Sequence, residues 1–362
     1  MRGRANRHVT GEENMDFGIA LIADAQAWRL ARRAEQLGFT HAWFYDSQLL
    51  CTDVFVAMTA AAMNTSTIRL GAGVLVPSNR LAPVAANALA SLNALAPGRV
   101  IAGLGTGYTA RRTLGLRAQK LAEIREYVRV MQGLWNGDTV AAVLEGSERS
   151  FRFMHPNDRF VNTADPIPVH ISAFGPRARQ MTAEVADGFI NAWMSPAALE
   201  DIGIVRDAAR QAGRDPASMY ATCLNLGCVL EPGEPYDSSR AKAQAGPMVA
   251  IGLHWLVEDN DPSRVPPALT DTIREYRTLY ESYQPAQERH LRLHEGHLLY
   301  LRPDEDHFVT ADMIREQTLT GTPEVIRDRV AQLDAAGYDQ VAVQIVPGHE
   351  NAIDDWARVL LH

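Results

Sequence analysis

The chain has little cysteine, no long apolar run and no excess of basic residues. Its three cysteines, Cys51, Cys223 and Cys228, are scattered and odd in number. A disulfide-built scaffold is therefore excluded, and the expectation is reduced thiols and a cytoplasmic setting. No stretch approaches the roughly 20 consecutive apolar residues that span a bilayer, so no membrane segment is expected. The start, MRGRANRHVTGEEN, lacks the apolar centre of a secretion signal and reads as a disordered tail over residues 1–14. The formal net charge is −8. Without a concentration of Lys and Arg, neither nucleic acid nor an anionic membrane is an expected partner, which leaves a small molecule.

What the chain does have is enough apolar residue for a sizeable core: 362 residues, 46% hydrophobic and 22% charged. A recurring unit organises them. In AWRLARRAEQLGFTHAWFYD, Ala27, Leu30, Ala31, Ala34 and Leu37 fall at helical spacing, Gly38 stops the helix, and a short apolar strand runs to Asp46. TPEVIRDRVAQLDAAGYDQVAVQIVP repeats the unit, with Thr322 as N-cap, Pro323 at the first helical position and Gly337 as the stop. PRARQMTAEVADGFINAW is a third copy, expected to turn at Gly188 and Phe189.

Strands are predicted at 17–21, 41–45, 68–76, 99–105, 168–173, 188–193, 220–230 and 340–346. Eight strands alternating with helices imply an α/β fold, a (β/α)8 TIM barrel, in one domain over 15–362. Two stretches break the alternation. Residues 138–166 read as an insertion, and residues 232–320 as a long, helical and irregular insertion near the C-terminal strands, over the barrel mouth.

VIAGLGTGYTARRTLG raises a separate question, because Gly105, Gly107 and Ala110 satisfy the G-x-G-x-x-A pattern of a dinucleotide-binding turn. Such a turn follows the first strand of its unit, with an acidic residue about 20 positions on at a strand tip. Here it follows the fourth strand. Glu123 stands at that distance but inside the amphipathic run LAEIREYVRVMQGLW. The alternatives are glycines that admit a flat ligand at a strand end, or a tight turn without a ligand.

In HISAFGPRARQ, the strand end at Ser172, Ala173, Phe174 and Gly175 leads into a helix beginning near Pro176. Its free amides and dipole form an anion site. Arg177 adds charge there or is a solvated first-turn side chain. ERHLRLHEGHLLYLRPDEDHF sets His290, His294 and His297 at i, i+4 and i+7, the spacing of imidazoles on one helical face. Gly296 interrupts that helix and no H-E-x-x-H is present, so no metal is expected. His294, His297 and Trp193 are taken as candidate substrate contacts, with packing as the alternative.

FYDS, IRLGAGVLVPSNR, GRVIAGLGTG, PIPVHISAFGPRARQMTAEVADGFIN and GTPEVIRDRV, in that order, resemble the bacterial luciferase-like superfamily. The resemblance is to its branch that uses the deazaflavin coenzyme F420, which includes methylenetetrahydromethanopterin reductase. It covers most of residues 15–230 and 320–347. It implies an oxidoreductase that moves a hydride between F420 and a small organic substrate, with homodimers the family habit. An FMN-dependent monooxygenase supplied by a separate flavin reductase is the alternative within the superfamily.

The resemblance places Asp46 near the redox-active ring; on sequence alone, capping of the next helix is the other role for it. It sets a non-proline cis peptide at Gly73–Val74 and puts the ring beside Gly105, Thr106 and Gly107. The cofactor's phosphate then goes to residues 172–175 and Arg177. Departures count as well. Ser47 stands where the sugar-phosphate dehydrogenase of the branch has a histidine, and Tyr108 where it has a glutamate, so that reaction is not expected. Tyr108 remains a candidate proton donor near the ring, with stacking against the ring as the other role for it.

Overall fold

The computed structural model describes residues 15–156, 159–259 and 261–362; the expected tail over 1–14 lies outside them. Its strands are β1 (Asp16–Leu21), β2 (His41–Phe44), β3 (Arg69–Ala72), β4 (Val100–Leu104), β5 (Val140–Leu144), β6 (Ser147–Phe151), β7 (Val169–Ser172), β8 (Gly188–Asn191), β9 (Tyr220–Asn225) and β10 (Gln340–Ile345). Eight of them close into a barrel in the order β1-β10-β9-β8-β7-β4-β3-β2. The fold is the expected (β/α)8 barrel, and all eight predicted strands are present. Its strands can be buried throughout because one face meets the helices and the other the barrel interior: HAWF, GFIN and QVAVQI are buried at every position.

The interior is filled by large side chains. Trp43 is fully buried, and its indole N–H donates to Gln340 Oε1 at 2.9 Å. Around it stand His41, His170 and Tyr220, whose rings lie 5.5–6.4 Å from their neighbours. Burial pushes His41 and His170 down to about 3, so both are neutral spacers. Such bulk needs room elsewhere in the layer. A Cβ on Gly71 would come within 2.4 Å of the Trp43 ring, and one on Gly188 within 2.5 Å of His170.

The repeated units end as their chemistry dictates. Gly38 closes the helix Ala27–Leu37 at φ 104°, and Gly337 closes Pro323–Ala336 at φ 101°. Thr322 holds the N-cap position without a side-chain cap bond. The third unit differs from expectation. Its helix Pro176–Val185 leaves through extended Ala186, and Gly188 opens β8 instead of turning the chain, its missing side chain making room for His170.

β9 is shorter than predicted. Past Asn225 the chain runs against residues 319–321, where a Cβ on Gly227 would meet the Leu319 carbonyl at 2.1 Å. All three cysteines are free.

The two insertions take different forms. The first contains the antiparallel hairpin β5–β6. The second holds the helices Ser239–Asp259, Thr270–Ser282, Arg289–Leu293 and Ala311–Gln317, packed around an apolar cluster of their own that includes Val249, Leu253, Ile273, Tyr276 and Ile314. No helix among the described residues is long and apolar enough to cross a membrane.

Because the Gly71 gap is filled by a ring held in place by Gln340, Gly71→Ala is expected to cost about 2–3 kcal/mol through overpacking. A urea midpoint equal to the wild type's would contradict this account of the interior.

Candidate active site

β7, β4, β3 and β2 are neighbours in the barrel, so the sequence-predicted residues at their C-terminal ends form one contiguous arc. Asp46 follows β2, Gly73 and Val74 follow β3, residues 105–107 follow β4, and Ser172 ends β7. The Gly73–Val74 peptide is cis, as the resemblance implied.

Glycines let β4 lie close against the chain leaving β3. A Cβ on Gly103 would sit 1.9 Å from the Ala72 carbonyl oxygen, and one on Gly105 2.5 Å from Val74 Cγ2. Gly107, at φ 80°, precedes the short helix Tyr108–Arg112. The loop follows the fourth strand of a closed barrel and not the first strand of an open sheet, where a dinucleotide turn stands. Glu123 lies in the first turn of the helix Leu121–Trp135 and accepts from the Lys120 amide at 3.3 Å.

Asp46 is 5% exposed. Its Oδ2 accepts from Arg80 Nη1 at 2.7 Å, while Arg80 Nη2 donates to Asp53 Oδ2 at 2.6 Å. Burial raises the Asp46 carboxyl above its ordinary value, although Arg80 pulls the other way. The N-cap of the helix Val54–Asn64 is Asp53, which accepts from the Phe55 amide. The capping role considered for Asp46 is therefore taken by another residue.

After β7, Ala173 is buried, Phe174 is 55% exposed, and a Cβ on Gly175 would meet nothing within 4 Å. The first-turn amides of the helix Pro176–Val185 and the exposed Arg177 lie at this open end, a setting in which a helix dipole favours an anion.

The long insertion meets this arc at the loop after β4. Tyr108 Oη donates to Glu258 Oε2 at 3.2 Å, and Thr109 Oγ1 lies 2.8 Å from His297 Nε2. His294 Nε2 lies 3.0 Å from Glu258 Oε1, and its Nδ1 lies 3.2 Å from His297 Nδ1. His254 Nε2 lies 3.0 Å from Glu305 Oε2. All three imidazoles are buried.

Burial holds His254 below and His297 well below the ordinary imidazole value, so both are neutral. Burial, with the Glu258 carboxylate, holds the Tyr108 phenol well above its usual value. Burial alone would raise Glu258, but hydrogen bonding from His294 and the charge of Arg112 help to keep it below the ordinary carboxylate range.

The histidine expectation needs a correction. His290 stays outside the cluster, because the helix Arg289–Leu293 ends before His294 and Gly296 turns the chain at φ 75°. The third imidazole is His254, from the helix Ser239–Asp259. Trp193 is a core residue whose indole donates to the Glu316 carbonyl at 3.0 Å.

His297 and Thr109 line a narrow cavity with Tyr45, Ser47 and Cys51. A larger one, about 370 Å³, lies between Val346, Pro347 and His349 after β10 and the Lys242, Tyr300 and Asp306 side of the insertion. The sequence reading missed Arg80, His254, Glu258 and Glu305. Of these, only the i, i+4 pair His254 and Glu258, on one face of a helix, left a local trace.

A closed parallel barrel that gathers a buried carboxyl and closely approaching glycines at one arc of its C-terminal rim has the architecture of a (β/α)8-barrel enzyme, whose sites lie at that face. Residues 10–340 match the luciferase-like monooxygenases, and the chain belongs to that family. It is 30% identical over 249 residues to the 5,10-methylenetetrahydromethanopterin reductase of Methanolobus tindarius, covering 66% of this chain and 71% of that one. It is 34% identical over 193 residues to the F420-dependent glucose-6-phosphate dehydrogenase of Nakamurella multipartita, covering 51% and 53%. Among solved structures, the coenzyme F420 dependent tetrahydromethanopterin reductase of Methanopyrus kandleri superposes with a TM-score of 0.70 at 22% identity, over 96% of this chain and 98% of that one.

Arg80→Gln removes the cation that offsets burial of Asp46, so the Asp46 carboxyl should rise further. A folded-state value above the unfolded one favours folding at low pH and is lost as pH climbs through it. The variant should therefore lose about 2–3 kcal/mol at pH 7, less than for a fully enclosed pair, and distinctly less near pH 4. Denaturation midpoints across that range check it; a loss independent of pH would contradict the pairing.

Proposed function

We propose that this protein is an oxidoreductase that transfers a hydride between coenzyme F420 and a small organic substrate. The observation that carries the reading is the arc itself. Four adjacent strand ends offer a ledge for a planar ring beside Asp46, Gly73 and residues 105–107, and the open cradle at Gly175 stands ready for the anionic end. The F420-dependent relatives support the same cofactor. When bound, the deazaflavin supplies the hydride chemistry, and the chain supplies position and electrostatics.

The chain's own groups suit that work. Gly175 leaves space for a phosphate oxygen to approach the first-turn amides. Asp46 sits buried at the ring end with a raised tendency to hold a proton. Tyr108 keeps its proton on Oη at neutral pH and is oriented by Glu258. His294 and His297 bring the insertion against the same loop, where they are read as bordering the substrate.

The family description, luciferase-like monooxygenase, makes FMN with a separate flavin reductase the competing cofactor. A homodimer finds support in apolar side chains that remain exposed on two neighbouring helices, among them Val56, Met63, Val84 and Leu95.

Titration of the purified protein with F420 and with FMN separates the two readings. Saturable quenching of F420 fluorescence, with FMN far weaker, is expected. Gly175→Val should leave thermal stability unchanged, since its side chain meets no protein atom, and weaken F420 binding about tenfold, or 1.4 kcal/mol. Tight FMN binding without F420 binding would overturn the proposal. Unchanged F420 affinity in Gly175→Val would remove the phosphate from the cradle.

A further inference from the structure

One nitrogen from each of His254, His294 and His297 lies within 4.8 Å of the other two, and the partners of these rings fix where the lone pairs point. A carboxylate only accepts, so His254 Nε2 carries the proton it donates to Glu305, and His294 Nε2 the one it donates to Glu258. In neutral rings the opposite nitrogens, both Nδ1, are then bare acceptors. His297 presents Nδ1 to His294 as well, with Nε2 beside the Thr109 hydroxyl.

A network built only of hydrogen bonds can satisfy part of this arrangement. His297 Nδ1–H could donate to His294 Nδ1 while Thr109 donates to His297 Nε2. It still leaves His254 Nδ1 buried without a hydrogen-bond partner, an uncompensated acceptor in a residue 2% exposed.

We propose that His254, His294 and His297 form a binding site for a divalent transition metal of the zinc class, ligated through the three Nδ1 atoms. Each outer nitrogen already has the oxygen partner that holds a metal-binding imidazole in orientation: Glu305 for His254, Glu258 for His294 and Thr109 for His297. Glu305 is itself fixed by Tyr276 Oη at 2.7 Å and Arg302 Nη2 at 2.8 Å. Three nitrogen donors are one short of tetrahedral zinc, which assigns the fourth position to water or a ligand oxygen, the pattern of a site that keeps one coordination position open. His297 also lines the narrow cavity beside Tyr45, Ser47 and Thr109, of about 10 Å³, at the lower limit for a single water. The helical-spacing argument against a metal fails because the third donor comes from a different helix.

The test needs neither cofactor nor turnover, so its outcome is separate from that of the F420 titration. Full-length protein is stripped with a chelator, titrated with Zn2+ against a competing indicator, and loaded with Co2+ for its visible spectrum. About one equivalent of zinc is expected, with cobalt bands of tetrahedral or five-coordinate intensity. His254→Asn, confirmed folded by circular dichroism, should abolish stoichiometric binding. Glu258→Gln should weaken it about 10–100-fold. Wild-type protein that takes up neither Zn2+ nor Co2+ would overturn the proposal whatever the variants do. So would a folded His254→Asn that binds zinc as tightly as the wild type.

Discussion

Everything at the rim depends on how tightly the barrel interior is filled. Trp43 occupies the centre of the layer and is tied across it to Gln340. The strands can close around that indole only because Gly71 presents no side chain to it. His170 and Gly188 are a second bulky-and-absent pair. With the interior solid, the barrel is a packed core and not a pore, and the spacing of its strand ends is set by the same glycines that admit the large rings. The close approach of β4 to the chain after β3, through Gly103 and Gly105, extends this constraint outward. It carries the packing of the barrel directly into the ledge between Asp46 and residues 105–107.

The long insertion solves a different problem. It brings buried charge over the barrel, and each charge is matched: Glu305 by Arg302, Tyr276 and His254, and Glu258 by His294, Tyr108 and Arg112. Breaking one member would strand the others in a poorly solvated place. A second tie runs through Gln344, which accepts from Tyr45 Oη and donates to the Leu298 carbonyl. The segment carrying the histidines is thereby fastened to β10 and to the end of β2 together.

The barrel was legible in the sequence because its signals are local. Helical spacing, a stop glycine and a short apolar run recur as a unit, and glycines announce close approaches before any partner is known. Gly38 and Gly337 did what that pattern said, whereas Gly188 did not: its glycine answers to His170, 18 positions away, and no local rule contains that fact. The site divides in the same manner. The residues of the arc lie in motifs at strand ends and could be listed in order along the chain. Arg80 could not be matched to Asp46, nor His254 to His294, because each pairing joins distant positions through the curvature of the barrel or the fold of the insertion. His290 shows the opposite error, since regular spacing along a helix means nothing once the helix has ended.

The loop after β4 belongs to both halves of the rim. Gly107 leaves the ledge at positive φ, and the next two residues are bound to the insertion, Tyr108 to Glu258 and Thr109 to His297. A ligand that settles against the ledge and a ligand that settles beneath the insertion would bear on one short piece of backbone. Thermodynamic linkage then makes the influence mutual: whatever free energy the first contributes to ordering that piece, the second inherits, and the reverse holds to the same extent. The rim is in this sense a balance with a single beam, on which neither pan can be loaded unnoticed by the other.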